Sequence, residues 1–222
     1  MIFPLAFPLL LGLFLLLLAL FVLMVELRIL GYAYRKIGVP RRYMFVVLLV
    51  SLLGSHVNIP LFAAHVPRLI APHDLTRLGR TYVAPPVIEA GRTIVAINLG
   101  GALLPLMLSL YLFYRSRMRV RMLIGVAIVA VIVHSLAEIV PGVGIAIPMF
   151  IPPVVAAAVG LVLAFREAPP LAYVAGSMGT LVGADLSNLH RLADIGAPVV
   201  SIGGAGTFDG VFLTGIIAGL IA

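Results

Sequence analysis

The sequence has no cysteine and a single lysine, Lys36. Without cysteine there is no disulfide framework, no thiol nucleophile and no thiolate metal site. Charge is scarce as well. Only 10% of the 222 residues are Asp, Glu, Lys or Arg, against roughly 25% in soluble globular domains. No polar stretch is long enough to form a soluble domain beside the apolar runs. What is present is hydrophobic: 63% of the residues, with a mean hydropathy of +1.22. A chain of that composition has too little polar surface for water, and a lipid bilayer is the solvent that tolerates it. The formal charge of +7 does not indicate nucleic-acid binding. The basic residues cluster between apolar runs, the pattern of topology signals and anionic-lipid contact.

The pattern predicts an all-α, polytopic helical membrane bundle, a single integral membrane domain over residues 1–222 with about seven spans. These lie near 5–27, 43–62, 93–114, 122–140, 147–165, 171–192 and 199–222. The first run carries no charge before it and is too long for a signal-peptide core, so it reads as a span. Arg28, Arg35, Lys36, Arg41 and Arg42 all follow it. Arg115, Arg117, Arg119 and Arg121 follow the third span. The positive-inside rule then predicts a multi-pass protein of the cell membrane, N-terminus outside and C-terminus cytoplasmic. An external loop is expected at about 63–90, where Pro67, Pro72, Pro85 and Pro86 oppose a long helix.

Inside spans, the informative residues are those that cost free energy to bury. A central Asp or Arg costs about 2.5–3.5 kcal/mol on translocon scales. Span 2 holds His56 and Asn58, with Pro60 beside them. Span 3 holds Asn98. Span 4 holds His134 and Glu138, four apart and so predicted on one helix face. Span 6 holds Asp185 and Asn188, also on one face. Span 7 holds Ser201, Thr207 and Asp209. Asp185 and Asp209 lie on consecutive antiparallel spans, at depths differing by only about 6 Å for a rise of 1.5 Å per residue. Two carboxylates that meet share a proton, and can bind a cation or activate water. A helical His134–Glu138 pair would need a further ligand, His56 or Asp185, to hold a metal. A hydrogen-bonded pair is the simpler reading, so no metal is predicted. No cofactor is indicated either, since a phosphate loop and a haem ligand set are both missing.

Two stretches rich in glycine and proline, 141–153 and 201–210, read as broken helices. The second holds Gly203, Gly204, Gly206 and Gly210 and is predicted to pack close to spans 6 and 3. A membrane permits unsatisfied backbone only beside protein or a wet cavity, and broken helices are usual binding sites in transporters. Gly179 with Gly183, Gly206 with Gly210, and Gly215 with Gly219 allow close helix contact. An internal helix-pair repeat is also suggested. Residues 51–56 resemble 180–185, and Asn98-Leu99-Gly100-Gly101-Ala102 resembles Ser201-Ile202-Gly203-Gly204-Ala205.

His134, Pro141-Gly142-Val143-Gly144-Ile145, Pro152-Pro153, Gly183-Ala184-Asp185-Leu186 and the closing stretch 201–215 together resemble an uncharacterised prokaryotic membrane family, the domain of unknown function numbered 1614. That resemblance implies a family without implying an activity. A second resemblance is to intramembrane aspartyl proteases of the presenilin and signal-peptide-peptidase type. These place one Asp on each of two adjacent spans, the second in Gly-x-Gly-Asp. Here two extra residues precede Asp209, Gly183-Ala184 stands before Asp185 in place of a Tyr, and a Pro-Ala-Leu motif is missing.

Three functions fit these residues. The first is proton- or ion-coupled transport or conduction of a small solute through Asp185, Asn188, Ser201, Thr207 and Asp209, with His56, Asn58, Asn98, His134 and Glu138 as further polar groups. The second is an aspartyl protease with Asp185 and Asp209 as its catalytic acids. The third is a non-catalytic assembly or lipid-binding subunit. A homo-oligomer is compatible with all three.

Overall fold

In the computed structural model, residues 6–70, 74–77, 80–83, 87–141, 144–204 and 210–222 are described. The chain opens with two helices, α1 (Ala6–Ile37) and α2 (Arg41–Gly54), then runs through the strands β1 (Asn58–Ile70), β2 (Asp74–Arg77), β3 (Arg80–Val83) and β4 (Val87–Asn98). A π-helical turn, Leu99–Leu103, leads into α3 (Leu104–Arg115), followed by α4 (Arg119–Leu136). A small hairpin of β5 (Glu138–Val140) and β6 (Gly144–Ala146) precedes α5 (Ile151–Ala164) and α6 (Ala168–Thr180). The chain then widens into a second π turn, Leu181–Asp185, and tightens into a 3-10 segment, Leu186–Arg191. The single turn α7 (Leu192–Ile195), the strand β7 (Val199–Ile202) and the helix α8 (Gly210–Ile221) complete it.

The protein is mostly helical, and its apolar helices are those of a membrane-embedded protein. Among the described residues, three stretches are long and apolar enough to cross a bilayer: Leu11–Ile37, Arg119–Leu136 and Ile151–Ile195. The third is folded back on itself at Phe165–Glu167, so that α5 packs against α6. Helix α2, the 99–115 segment and α8 are apolar but shorter.

The all-α expectation needs correcting at the end of span 4, where 138–140 form β5, and at three further span ends. Helix α2 stops at Gly54, and residues 58–62 belong to β1. Residues 93–98, expected to open span 3, belong to β4, and 199–202, expected to open span 7, form β7. These three strands make one sheet in the order β1-β4-β7. β1 and β4 run antiparallel from Asn58↔Asn98 to Ile70↔Val87, across the region expected to be an external loop. β4 and β7 run parallel from Ile94↔Val199 to Ile97↔Ile202. The cause is local. Thr93-Ile94-Val95 and Val199-Val200 are β-branched runs that favour extended backbone. Pro60 lacks the N–H that a helix interior requires. The backbone groups left out of helices are paired strand to strand instead.

Within the stretch 141–153, expected to be a broken helix, two of the prolines start one. Pro152 and Pro153 occupy the first turn of α5, and α3 and α6 also have proline there. Proline at these positions gives up only an N–H that has no partner in the helix.

Helices α4, α5, α6 and α8 pack on small residues. Gly125 of α4 faces Ala175 and Leu171, Gly160 of α5 faces Ala172, and Gly176 of α6 faces Ala156 and Thr214. Gly179 and Gly183 lie on Val129 and Ala130 of α4, Gly215 on Tyr173 and Ser177, and Gly219 on Ile37. Tyr34 and Ile37, in the last turn of α1, are buried in this core, whereas residues 11–28 of the same helix are exposed. Lys36 donates from Nζ to the Leu220 carbonyl at 2.9 Å. Arg121 donates to the Leu163 carbonyl at 3.1 Å, and Leu112 lies beside Gly38. These contacts gather the ends of α1, α3, α5 and α8 and the starts of α4 and α6 at one end of the bundle. Arg35, Lys36, Arg115, Arg117, Arg119, Arg121 and Arg166 are all at that end. The sheet sits at the opposite end, over a second core of Val95, Ala102, Leu181, Leu192, Ile195, Ala197, Ile202 and Val211.

Candidate functional site

Two strand-to-helix junctions meet where the sheet joins the bundle. At the first, Asn98 ends β4 and is buried. Its Oδ1 accepts from the Gly101 N–H at 2.8 Å, which caps the helix that follows. Its Nδ2 donates to the Ser55 carbonyl at 2.7 Å and to Asn58 Oδ1 at 3.0 Å. Asn58 Oδ1 also accepts from Ser201 Oγ at 2.6 Å. Asn58, Asn98 and Ser201, assigned to three separate spans by the sequence, thus form one hydrogen-bonded group across β1, β4 and β7.

At the second junction the chain leaves β7 through Gly203 and Gly204, with φ of +84° and +85°. Side chains rarely adopt that region, and glycine enters it freely. A Cβ on Gly203 would also strike the backbone of Ala102. The Gly203 N–H donates to Asp185 Oδ2 at 2.7 Å. Asp185 is half-buried at the end of the π turn, where the wider helix turns its carboxylate toward β7. Asn188 is buried in the 3-10 segment that follows. Its Nδ2 donates to the carbonyls of Ala184 at 2.8 Å and Gly183 at 3.4 Å.

Asp185, Asn188 and Ser201 line one cavity of about 250 Å³, which also includes Gly144 and Gly204. Its remaining walls are Ile145, Leu189, Leu192, Ile195, Val199, Val200 and Ile202. From the start of α6 to Asp185 is about 25 Å at 1.5 Å per residue. That places the cavity far from the basic end of the bundle.

The other sequence candidates lie elsewhere. The expected meeting of Asp185 with Asp209 involves residues 205–209, and Gly206, Thr207 and Asp209 therefore lie outside the described residues. Gly210 begins α8 and touches Ile147. Gly183 packs on Ala130. His56 is exposed, its Nδ1 3.2 Å from Ser55 Oγ. The expectation that His134 and Glu138 share a helix face is corrected: α4 stops at Leu136, Ala137 is extended, and Glu138 is an exposed residue of β5. His134 Nδ1 instead lies 3.3 Å from the Gly183 carbonyl, next to Asn188 Nδ2. Among the described residues, no three of His, Asp and Glu gather as a metal site would require.

Sequence reasoning missed Glu26. Span 1 was expected to close at residue 27, which put Glu26 at its margin. The helix runs on to Ile37, so Glu26 sits well inside it. It lines a second cavity, about 100 Å³, with Ser51, Ser55, Gly100, Gly101 and mostly leucine side chains. An acid interrupting an apolar run was the available signal.

The family model described as "Protein of unknown function (DUF1614)" matches residues 52–221. The chain belongs to this family. The match takes in the whole sheet, both junctions and every residue lining the Asp185 cavity, while α1 and most of α2 precede it. No curated protein and no solved structure matches the chain. Of the two resemblances read from the sequence, membership of DUF1614 is thereby shown, and the one to aspartyl proteases is not.

Proposed function

We propose that this DUF1614 protein is a multi-pass protein of the cell membrane that binds a small solute or cation in the Asp185 cavity and passes it across the bilayer. The observation that carries the reading is the cavity itself. A carboxylate, an amide and a hydroxyl converge where one helix loosens and a strand turns through two glycines. Intramembrane acids are retained at a cost and are functional by default, and interrupted elements beside a cavity are how transporters hold their cargo. The gathering of the arginines at one end supports seven crossings, with that end cytoplasmic, the N-terminus outside and the C-terminus inside. Reporter fusions at Lys36, Arg117 and the C-terminus should then read cytoplasmic and one near His73 external, and opposite readings would sink the topology. The likeness of 98–102 to 201–205 supports duplication of a strand-to-helix junction.

The test is flux in proteoliposomes holding the full chain, with Asp185→Asn and Asp209→Asn beside it. Proton-driven uptake should stop in at least one variant while passive exchange survives. Cleavage of a model transmembrane peptide, lost in both variants, would replace this reading with the protease. If neither substitution changes flux or cleavage, both readings fail and the acids hold the fold together only.

A further inference from the structure

We infer that the ligand of the Asp185 cavity is a small primary ammonium carrying an alkyl group, and that anions are excluded. The inference rests on the binding reading of the same cavity and names its chemistry.

The argument starts from which hydrogen-bonding capacity is already used. Asn188 Nδ2 donates to the carbonyls of Ala184 and Gly183. Carbonyl oxygens do not donate, so these contacts fix the amide orientation and leave Oδ1 as the group it can offer. Ser201 spends its hydroxyl proton on Asn58 Oδ1. That oxygen is itself fixed as an acceptor by Asn98 Nδ2, so Ser201 presents lone pairs. Asp185 takes the Gly203 N–H on Oδ2, and a carboxylate has a second oxygen to offer. Even the Gly204 N–H is directed to the Ser201 carbonyl, at 3.3 Å. All three polar side chains among the described lining residues therefore offer acceptors, one of them charged. Among the described lining residues there is no Lys, Arg or His. The one ion pair among the described residues, Arg191–Asp194, is on the surface.

Three acceptors match the three N–H donors of a primary ammonium. A divalent metal takes six or more oxygens, and this wall is mostly aliphatic. A quaternary ammonium is held by aromatic rings, and the described lining residues include none. The aliphatic wall suits an alkyl group. A volume of about 250 Å³ is below the usual range of drug-sized pockets, roughly 300 Å³ upward, so the ligand is small.

The test uses three probes of matched shape and different charge: isopentylammonium, isopentanol and isovalerate. Binding to the full chain in nanodiscs is measured by calorimetry, and flux of the same probes in proteoliposomes. Asp185→Asn keeps an acceptor for Gly203. Val200→Phe fills the cavity without touching a hydrogen bond, so the two variants fail for different reasons. Saturable isopentylammonium binding is expected. It should weaken at least about tenfold in Asp185→Asn and also in Val200→Phe, where methylammonium should still bind. Isovalerate should show no binding that either variant alters. Isovalerate bound as tightly as the ammonium, or ammonium binding indifferent to both variants, overturns the inference. Ammonium binding of the expected pattern without flux upholds the ligand class and removes the transport reading. Flux of isovalerate or isopentanol that Asp185→Asn abolishes does the reverse.

Discussion

The junction after β4 and the junction after β7 are built from like sequences and end differently. At Asn98 every polar group is turned inward. The side chain caps Gly101, ties Ser55 and braces Asn58, and Gly100 sits so close to α2 that a Cβ would strike the backbone at Ser51 and Ser55. At Gly203 the brace is a carboxylate from another helix, held by one oxygen. The first junction uses its hydrogen bonds up, whereas the second leaves acceptors facing a cavity. A polar residue in a membrane protein is thus a candidate site by cost alone, and it becomes a binding group only where its partners leave capacity over.

Substitutions can break or sharpen this contrast. The largest effect is expected at Gly203→Ala, which combines a left-handed backbone with a steric strike on Ala102. A loss of about 2–5 kcal/mol is expected, seen as a lowered melting temperature in detergent or a failure to accumulate folded protein. Asn98→Ala comes next. It strands the Gly101 N–H and the Ser55 carbonyl, at a cost of about 2–4 kcal/mol, and its thermal melt should fall while the Asp185 cavity keeps its ligand in the fraction that folds. Asp185→Asn should lower stability by no more than about 1 kcal/mol, because the amide oxygen still accepts from Gly203, yet it should cost binding at least about tenfold. Should its melt fall as far as that of Asn98→Ala, the two junctions are alike and the contrast is lost. Ser201→Ala is the mildest. Under about 1 kcal/mol of stability and a few-fold change in binding are expected, readable in the same calorimetry.

Much of this was legible in the sequence. Hydropathy gave the membrane character, and the cost of burial picked out Asn58, Asn98, Asp185, Asn188 and Ser201 before any geometry. Their grouping was not legible. Ser201 meets Asn58 because β4 pairs with β1 on one side and β7 on the other, and no local pattern encodes a pairing across 143 residues. The strands themselves were hidden because short apolar runs fit a helix or a strand equally by hydropathy. The β-branched run Thr93-Ile94-Val95 was the signal that could have separated them. Asp185 was expected to face Asp209 from a count along ideal helices, and Asp209 lies outside the described residues. The π turn, the 3-10 segment and β7 each advance the chain by a different rise.

Helix α1 carries a mechanical consequence of its attachment. Its 32 residues make a rod of about 48 Å at 1.5 Å per residue, against a hydrocarbon layer of about 30 Å. Its last turns are fastened to the bundle, through Tyr34, Ile37 and the Lys36–Leu220 bond. A rod longer than the layer it crosses tilts to fit, and one anchored at a single end tilts about that anchor. Bilayer thickness would then set the angle of α1, and with it the width of the crevice between Glu26 and α2.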